Sequence, residues 1–325
     1  MNKHLAKPVN IITGFLGAGK TTFLNELIKF NQPKRLAIIE NEFGRESIDG
    51  ELIIGAGNAI YELSDGCLCC SLSEDFHQLL ADLWNRRSVF DEVVIETTGI
   101  ADPASVAAPF LTSHAIPNYY ELERVICLID PNHIESQLRD TIEARQQISF
   151  SDVLLITKAD TVSADHLQHI EELLSKINPF AKTLSGHKHE YPFLEIFTTE
   201  RGKTVQKRPR FTLSPNSLSS QQHEDIISLS FSFTEPFSIS LLQHRLTAFL
   251  LFQAKDVYRV KGIIYALGNT KKIIVQSVNT SLVVEYGQEW EDKEIYESRI
   301  VFIGKNLKPE GFERMLKQCL QISPN

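Results

Sequence analysis

The sequence predicts an α/β fold in which a mostly parallel sheet carries helices on both faces, followed by a smaller α+β domain with an antiparallel sheet. Two observations lead to this prediction. Strand and helix signals alternate through the first two-thirds of the 325 residues, which is typical of parallel sheets joined by right-handed crossovers. The last third instead carries several apolar runs that follow one another closely, which is typical of antiparallel sheets.

Short apolar runs are the predicted strands of the parallel sheet. They cover residues 9–13, 35–40, 91–96, 125–130 and 152–156. Helices are predicted at 21–30 and at about 73–86, a third begins at Pro103, and a fourth, capped by Ser163, reaches residue 177. Ligands of such sheets bind at the carboxyl ends of the strands, so we expect the functional residues there.

A polar and locally basic segment separates the two predicted domains. Residues 199–225 carry a basic cluster and then serines and glutamines, which is typical of a linker. We therefore predict a first domain over 1–198, a linker over 199–225 and a second domain over 226–325. The second domain has predicted strands at 226–233, 262–267, 272–278, 281–286 and 299–303, with helices at about 238–253 and 309–320.

Composition and charge exclude several classes of protein. A formal net charge of −8 argues against general binding to nucleic acid or anionic membranes, which requires a basic surface. No apolar run approaches the roughly 20 residues that span a bilayer, and the N-terminus lacks the apolar core of a signal peptide. We therefore expect a cytoplasmic protein with no nucleic-acid or membrane partner. Five cysteines, three of them within four positions, suit metal or thiol chemistry rather than a disulfide framework.

A phosphate-binding loop follows the first predicted strand, which makes the parallel sheet a P-loop NTPase sheet. The segment Gly14-Phe-Leu-Gly-Ala-Gly-Lys-Thr-Thr22 fits the pattern G-x-x-x-x-G-K-[ST] between a strand and a helix. The backbone N–H groups of such a loop surround an anion, and the helix N-terminus adds partial positive charge. Lys20 is predicted to reach the β- and γ-phosphates and the Thr21 hydroxyl to ligate Mg²⁺. The predicted nucleotide-binding residues here are Gly14, Gly17, Ala18, Gly19, Lys20, Thr21 and Thr22.

Acidic residues follow two further predicted strands. Glu40, Glu42 and Asp49 lie where P-loop GTPases place the first switch, and each can contact Mg²⁺ or a second metal. For any one of them a solvated acidic loop stays the alternative. Glu96 ends the strand 91–96 and is predicted to hold or orient the Mg²⁺ shell, and the Gly99 N–H is predicted to sense the γ-phosphate. The predicted catalytic residues are Lys20, Glu96 and Gly99.

A guanine-recognition motif ends the strand 152–156. Residues Thr157-Lys-Ala-Asp160 fit the pattern [NT]-K-x-D that P-loop GTPases carry at this place. The Asp160 carboxylate can accept hydrogen bonds from the guanine N1–H and 2-amino groups, which adenine does not offer, while the Lys158 stem packs on the base. The sequence therefore predicts GTP as the nucleotide, bound by Thr157, Lys158 and Asp160.

Three cysteines stand close together in Gly66-Cys-Leu-Cys-Cys-Ser71. Neighbouring side chains point in different directions, so these thiols are not all core residues, and thiolates favour Zn²⁺ or Cu(I). A metal site formed by Cys67, Cys69 and Cys70 is the favoured interpretation; a redox pair of Cys67 and Cys70, or plain burial, stays open. A carboxylate or histidine from elsewhere must complete a tetrahedral site, and His114 is a candidate.

Taken together, these motifs resemble those of the CobW-like P-loop GTPases. The resemblance includes the phosphate loop, Glu40 to Gly44, Gly66 to Cys70, Glu96 to Pro103 and Thr157 to Asp160, and it continues in the last third with Arg259 to Gly262, Trp290 and Arg299 to Gly304. It implies hydrolysis of GTP coupled to binding of Zn²⁺, Co²⁺ or a related ion, and transfer of that ion to a client protein.

Two departures from that family pattern concern metal ligands. Family members usually carry a glutamate after N-E-F-G, which helps form a metal site in one bacterial branch, whereas this chain has Arg45 followed by Glu46. A guanidinium cannot ligate a cation, so a site there must use Glu40, Glu42 or Glu46. Many members also have a histidine-rich stretch near the domain junction, and this chain has only His187, His189 and His223 there.

The resulting hypothesis is a GTP-hydrolysing metallochaperone. Binding of GTP and Mg²⁺ orders residues 40–49 and reshapes the C-x-C-C site, so nucleotide state and metal affinity are coupled in both directions. The partners expected are GTP and a client apo-metalloprotein, and a homo-oligomer is compatible with the sequence. The alternative is a metal- or redox-responsive GTPase switch that controls a partner without transferring metal. A small-molecule kinase is disfavoured by the guanine motif.

Overall fold

The chain folds into two compact units, each described here by itself. The computed structural model describes residues 6–40, 59–62, 74–198, 226–253, 256–291 and 294–321. The first unit comprises Met1–Ser175 and Ala181–Thr204, and the second comprises Lys176–Phe180 and Val205–Asn325. The segment 199–225, which the sequence predicts to be a linker, lies outside the described residues.

The first unit is built on a seven-stranded sheet in which every neighbouring pair of strands is parallel. Its strands are β1 (Lys7–Gly14), β2 (Leu36–Glu40), β3 (Ala59–Glu62), β4 (Glu92–Glu96), β5 (Tyr120–Ile129), β6 (Val153–Ile156) and β7 (Lys182–Ser185). They lie in the order β3-β2-β4-β1-β5-β6-β7. Strand β1 is therefore central, and the loop that follows it lies in the middle of the carboxyl edge of the sheet.

Helices cover both faces of this sheet. They are α1 (Lys20–Phe30), α2 (Glu74–Asn85), α3 (Pro103–Thr112), α4 (Ile134–Asp140), α5 (Ile142–Phe150), α6 (Ala164–Ile177) and α7 (Phe193–Thr198). On one face Phe23 and Leu27 of α1 and Ile196 of α7 pack on Ile12 of β1 and its neighbours. Helices α3 and α5 both contact β1 and β5, and since α1 occupies the other face, the predicted α/β arrangement is confirmed.

The second unit is a five-stranded antiparallel sheet with two helices. Its strands are β8 (Ile226–Phe233), β9 (Val257–Ile264), β10 (Lys271–Val278), β11 (Ser281–Glu289) and β12 (Ser298–Lys305), in the order β11-β10-β9-β12-β8. Helices α8 (Ile239–Gln253) and α9 (Pro309–Lys317) pack on the sheet, and Leu246 of α8, Leu316 of α9 and Phe302 of β12 share one apolar core. This is the α+β domain that the sequence predicts. Across the described ranges, no helix has the length and apolar character to cross a membrane.

Two predicted strands begin five residues earlier in the structure, and each of these early segments contains a buried arginine. The strand predicted at 262–267 is β9, which begins at Val257 and ends at Ile264. Its early half contains Arg259, which is almost fully buried and donates hydrogen bonds to the Ser277 carbonyl and the Gln276 side chain. Likewise β5 begins at Tyr120 rather than 125, and its Arg124 is buried against Asn10.

Several short elements carry too little periodicity for the sequence to predict them. Strands β3 and β7 have four residues each, and the helices α4, α5 and α7 have six to nine. Strands β3 and β7 are the two edge strands of the sheet. The predicted central strands are all present, so these additions do not change the position of the carboxyl edge.

We expect the aromatic core of the second unit to dominate its stability. Phe302 is fully buried, and its ring centroid lies 4.6 Å from that of Phe312 and 6.0 Å from that of Phe249. Replacing Phe302 by alanine should lower the free energy of unfolding by about 3–5 kcal/mol because it removes this packing and leaves a cavity. Urea unfolding followed by circular dichroism measures the change.

The matched control is Phe252→Ala in α8, because the Phe252 side chain is 86% exposed. Its effect on the free energy of unfolding should stay within about 0.5 kcal/mol. Equal unfolding midpoints for the two alanine variants would contradict this description of the core.

Candidate nucleotide site

The phosphate-binding loop joins β1 to α1 through a backbone that only glycine adopts easily. Gly14, Gly17 and Gly19 have φ values of 139°, 79° and 91°, and L side chains are strained in this region. A Cβ atom on Gly14 would also collide with the Leu128 carbonyl of β5. The three glycines of the sequence pattern are therefore required by the turn and by the close approach of β5.

The N-terminus of α1 is arranged to face an anion. Helix α1 begins after Gly19, which has no side chain to cap the first turn, and that turn contains no acidic residue. By contrast, Asp102 caps α3 and Thr141 caps α5 through side-chain oxygens. The first-turn N–H groups and the helix dipole of α1 are therefore directed at the loop, where phosphate groups bind in such folds.

Lys20 lies across the phosphate-binding loop. Its Nζ donates to the Gly14 carbonyl at 3.0 Å and to the Phe15 carbonyl at 3.4 Å. The neighbouring Thr21 and Thr22 are half-buried in the first turn of α1. Ala18, within the loop, is buried. The predicted phosphate-binding residues thus lie together at one end of the sheet.

Glu96 and Glu40 end neighbouring strands beside this loop. Glu96 of β4 is in register with Ile12 of β1 and with Glu40 of β2. Residues in register in a parallel sheet share a face, so both carboxylates are on the α1 face. Both side chains are half-buried. They are thus one and two strands away from β1 at the edge that carries the phosphate-binding loop.

The segment after β4 packs directly on the phosphate-binding loop. The Thr97 hydroxyl donates to Thr13 Oγ1 at 3.0 Å. A Cβ atom on Gly99 would lie 2.6 Å from Leu16 Cγ and 2.7 Å from the Leu16 amide nitrogen. The carbonyls of Gly99 and Ala101 both accept hydrogen bonds from the buried Gln147 side chain of α5, each at 3.2 Å. The position of Gly99 is therefore set by Leu16 on one side and Gln147 on the other.

The guanine motif, Thr157 to Asp160, also packs on the phosphate-binding loop. The buried Thr157 hydroxyl donates to the Ala18 carbonyl at 2.8 Å and to the Ile129 carbonyl at 3.1 Å. Lys158 Nζ donates to the Gly17 carbonyl at 2.8 Å and to Asp130 Oδ2 at 2.7 Å. Asp160 is exposed in a short 3₁₀ turn, Ala159–Thr161. Its carboxylate therefore remains accessible to a base.

Other residues of the site had no signal in the sequence analysis. These residues contact parts of the chain that are distant in sequence, and no local pattern marks such contacts; they are Leu16, Asp130, Asn132 and Gln147. Only Leu16 lies inside a motif, at one of its unspecified positions. The acidic end of the run 125–130 is the one feature that could have indicated Asp130.

The predicted transition-metal residues lie mostly outside the described part of the chain. The predicted transition-metal ligands Glu42, Cys67, Cys69 and Cys70 all fall there, as does Asp49, a predicted Mg²⁺ ligand. His114 is exposed after α3, and its carbonyl accepts a hydrogen bond from Asn118. Among the residues that the structure describes, no three of His, Cys, Asp or Glu are grouped to hold a metal ion. The metal assignment of His114 and Glu40 stays a prediction.

The two described cysteines are poor candidates for metal binding. Burial raises the pKa of the Cys127 thiol to about 12, although the nearby Lys20 charge opposes the shift. Burial also raises the pKa of Cys319, which is fully buried in the second unit. Because their pKa values are raised, both thiols stay protonated near neutral pH. Metal ions bind the thiolate form, so neither side chain is a good metal ligand.

Comparison with known families identifies related proteins along nearly the whole chain. The family described as CobW/HypB/UreG, nucleotide-binding domain, matches residues 8–185. The family described as cobalamin synthesis protein CobW C-terminal domain matches residues 226–320. The first match contains the three loops of the site, and the second contains the antiparallel sheet.

Individual relatives are similar over most of their length. The zinc chaperone YjiA of Escherichia coli is 31% identical over 310 residues, which cover 93% of this chain and 95% of that protein. The zinc-regulated GTPase metalloprotein activator 1 of Saccharomyces cerevisiae is 28% identical over 362 residues, with 97% and 83% covered. The crystal structure of a Zn(II)-bound triple mutant of the YjiA GTPase, in which one glutamate and two adjacent cysteines are alanine, has a TM-score of 0.76 at 27% identity and covers 99% of this chain and 100% of that chain.

The site geometry predicts that Gly14 tolerates no side chain. We expect Gly14→Ala to weaken GDP binding at least tenfold, because φ near 139° and the Leu128 carbonyl together force the loop to move. Isothermal titration calorimetry with GDP measures the loss.

Gly311→Ala in α9 is the control for a glycine substitution. An added Cβ there meets nothing within 4 Å. GDP affinity should be unchanged and stability equal or higher, by about 0.5–1 kcal/mol, because alanine favours the helix. Wild-type GDP affinity in the Gly14 variant would refute the proposed role of the turn.

Proposed function

Because this chain belongs to the CobW family of P-loop GTPases, we propose that it is a GTP-hydrolysing metallochaperone that binds Zn²⁺ at its C-x-C-C motif and delivers the ion to a client metalloprotein. The observation that carries the nucleotide part is the meeting of three loops at one edge of the sheet. The phosphate-binding loop accepts hydrogen bonds from Thr157 and Lys158 and contacts Gly99 through Leu16.

The phosphate groups of GTP bind to the N–H groups of the loop and of the first turn of α1. Lys20 Nζ then exchanges its contacts with the loop carbonyls for the β- and γ-phosphate oxygens, where its charge stabilises the negative charge of the transition state. The Gly99 N–H lies on the segment against Leu16 and responds to the γ-phosphate. Loss of that phosphate on hydrolysis removes the contact and frees the segment.

The residues beside the loop fit a magnesium ion by their chemistry. Thr21 offers a hydroxyl in the first turn of α1, and Glu96 offers a carboxylate on the same face of the sheet. Hard oxygen donors of this kind, together with phosphate oxygens, are what Mg²⁺ prefers. When bound, the ion neutralises charge on the β- and γ-phosphates. Asp49 is a further proposed ligand, directly or through water.

Zinc is proposed as the cargo on two grounds. Relatives that match over nearly the whole chain carry the names zinc chaperone and zinc-regulated GTPase metalloprotein activator. In the YjiA variant, the replaced glutamate precedes the first of the two adjacent cysteines by 29 residues, which is the separation of Glu40 from Cys69. Since that variant is itself Zn(II)-bound, a test here must count bound ions as well as measure affinity.

Nucleotide and metal are coupled in this proposal through neighbouring strand ends. Glu40 is in register with Glu96, which is in register with Ile12 two residues before the phosphate-binding loop. A change in the contacts of Glu96 when Mg²⁺ and the γ-phosphate bind therefore occurs one strand away from Glu40. Both Glu40 and Glu42 are proposed to complete the zinc site of Cys67, Cys69 and Cys70.

The test of coupling compares zinc affinity in three nucleotide states. We expect the affinity of the reduced protein for Zn²⁺ to differ tenfold or more between GTP·Mg²⁺ and GDP·Mg²⁺, a coupling of about 1.4 kcal/mol or greater. Competition with a chromophoric chelator measures it, with a nucleotide-free sample as reference. Equal affinity in all three states would separate the metal site from the GTPase.

Replacement of two thiols tests the metal site itself. The double variant Cys67→Ala, Cys69→Ala should lose one bound Zn²⁺ per chain and keep its affinity for GDP, because it removes thiolates without touching the three loops. Cys319→Ala is the matched control, since the buried Cys319 thiol has a raised pKa and should bind no metal. Unchanged zinc stoichiometry in the double variant would refute the ligand assignment.

A transfer assay distinguishes the chaperone from a switch. The zinc-loaded protein is mixed with a candidate apo-metalloprotein, and activity of that client is followed with GTP and with GDP. Activation that requires GTP supports delivery. Formation of a GTP-dependent complex without gain of zinc by the client supports a GTPase switch that controls its partner.

A further inference from the structure

A buried carboxylate that belongs to none of the recognised motifs holds the guanine motif in place. Asp130 follows β5 and is 4% exposed. Its Oδ2 accepts a hydrogen bond from Lys158 Nζ at 2.7 Å, and its Oδ1 accepts from the Asn132 amide nitrogen at 3.0 Å. The exposed His133 ring lies 3.3 Å from Oδ2. The carboxylate is therefore fixed on both oxygens.

The same network reaches the turn that carries Asp160. Asn132 Nδ2 donates to Asp130 Oδ1 at 3.3 Å and to the Thr161 hydroxyl at 2.8 Å. That hydroxyl in turn donates to the Lys158 carbonyl at 2.7 Å, and the Thr161 amide donates to the same carbonyl at 2.9 Å. The loop after β5 and the 3₁₀ turn Ala159–Thr161 are thus one hydrogen-bonded unit.

Lys158 needs this support because its own backbone is unusual. Its φ is 50°, the left-handed region that a residue with a long side chain seldom adopts. Its Nζ lies between the Gly17 carbonyl and the Asp130 carboxylate, so the aliphatic stem runs along a defined line from the guanine motif to the phosphate-binding loop. A stem fixed at both ends offers apolar CH₂ groups in a defined position.

The charge state of Asp130 agrees with this role. Burial by itself raises the pKa of a carboxyl group, but here the hydrogen bonds from Lys158 and Asn132 outweigh burial and hold the pKa of Asp130 below its usual value. The carboxylate is therefore ionised near neutral pH, and the Asp130–Lys158 contact is a charge-assisted hydrogen bond.

We propose that Asp130 is a positioning residue for guanine specificity: it fixes the Lys158 stem as one wall of the base site and, through Asn132 and Thr161, fixes the turn that presents Asp160. This inference rests on the proposed recognition of guanine by Asp160 and Lys158. Without the Asp130 carboxylate, the Lys158 amine keeps only the Gly17 carbonyl of its two described partners. The guanine motif is then held less firmly against the phosphate-binding loop.

The test compares GDP with inosine diphosphate, which lacks the 2-amino group. Asp130→Asn keeps the shape of the side chain and removes its charge. We expect GDP affinity to fall about tenfold or more, and we expect the ratio of GDP to inosine diphosphate affinity to approach one. In GTP hydrolysis the rise in KM should exceed the fall in kcat. Calorimetry and steady-state kinetics give these values.

Asp152→Asn is the matched control. Asp152 is equally buried and accepts a hydrogen bond from the amide of Val125 in β5. It precedes β6, whereas the guanine motif follows that strand. We expect this variant to keep the wild-type ratio of the two affinities, even where it is less stable. An unchanged ratio in Asp130→Asn, or an equal change in both aspartate variants, would overturn the positioning role.

A second variant keeps the test valid if Asp130→Asn does not fold. Asn132 is exposed, so Asn132→Ala should fold normally and should lower the affinity ratio in the same direction by a smaller factor, because it breaks the link to Thr161. No change in the ratio for this variant would contradict the proposed network.

A separate variant, Asp160→Asn, tests whether Asp160 recognises guanine at all. Asp160→Asn places an amide donor where the carboxylate was, which suits the 2-oxo group of xanthine. If Asp160→Asn gains affinity for xanthosine diphosphate while the Asp130 and Asn132 variants behave like wild type, only the positioning inference is wrong. If Asp160→Asn leaves nucleotide preference unchanged, the guanine assignment itself is wrong.

Discussion

The left-handed backbone of the phosphate-binding loop is the constraint on which the rest of the first unit depends. The loop leaves the central strand of the sheet, and its three glycines let it turn tightly enough to face the first turn of α1. Because Gly14, Gly17 and Gly19 carry no side chains, neighbouring residues contact the loop backbone directly. Leu128, Thr157 and Lys158 all approach its carbonyls or α-carbons. A side chain at Gly14 would disturb the strand beside it as well as the loop.

Sequence patterns predict this part of the molecule well because the chemistry is local. A turn that needs positive φ needs glycine, a buried parallel strand needs a continuous apolar run, and both leave a mark within ten residues. The five predicted strands of the first unit are confirmed as β1, β2, β4, β5 and β6, whereas β3, α4 and α5 were not predicted. The strand bounds were wrong where charged residues are buried. Arg259 and Arg124 are charged, and they are buried because carbonyl and amide oxygens of other strands accept their hydrogen bonds.

The residues that the sequence analysis missed share a different property. Asp130 and Gln147 act on loops that are 28 and 48 residues away in the chain. Nothing in their immediate neighbours distinguishes them from a surface aspartate or a helical glutamine. Their role becomes visible only when the fold brings their side chains to the carboxyl edge. The motifs predict which groups contact the nucleotide, whereas the fold reveals Asp130 and Gln147 as hydrogen-bond partners of those motifs.

The rigidity of the sheet restricts how the nucleotide can influence a metal site. Ile38 of β2 and Val94 of β4 are fully buried in one packed core with Ile12 and α1. A close-packed core of this kind does not deform continuously, so the strands themselves cannot carry a graded movement from the loop to Glu40. The coupling in the proposed mechanism must therefore begin in the side chains at the strand ends and continue in the segments that follow Glu40 and Glu96. Glu40 and Glu96 are in register at the ends of neighbouring strands, so the segments that follow them start at adjacent positions. In the proposed mechanism, this adjacency lets a bound γ-phosphate act on the proposed zinc ligands.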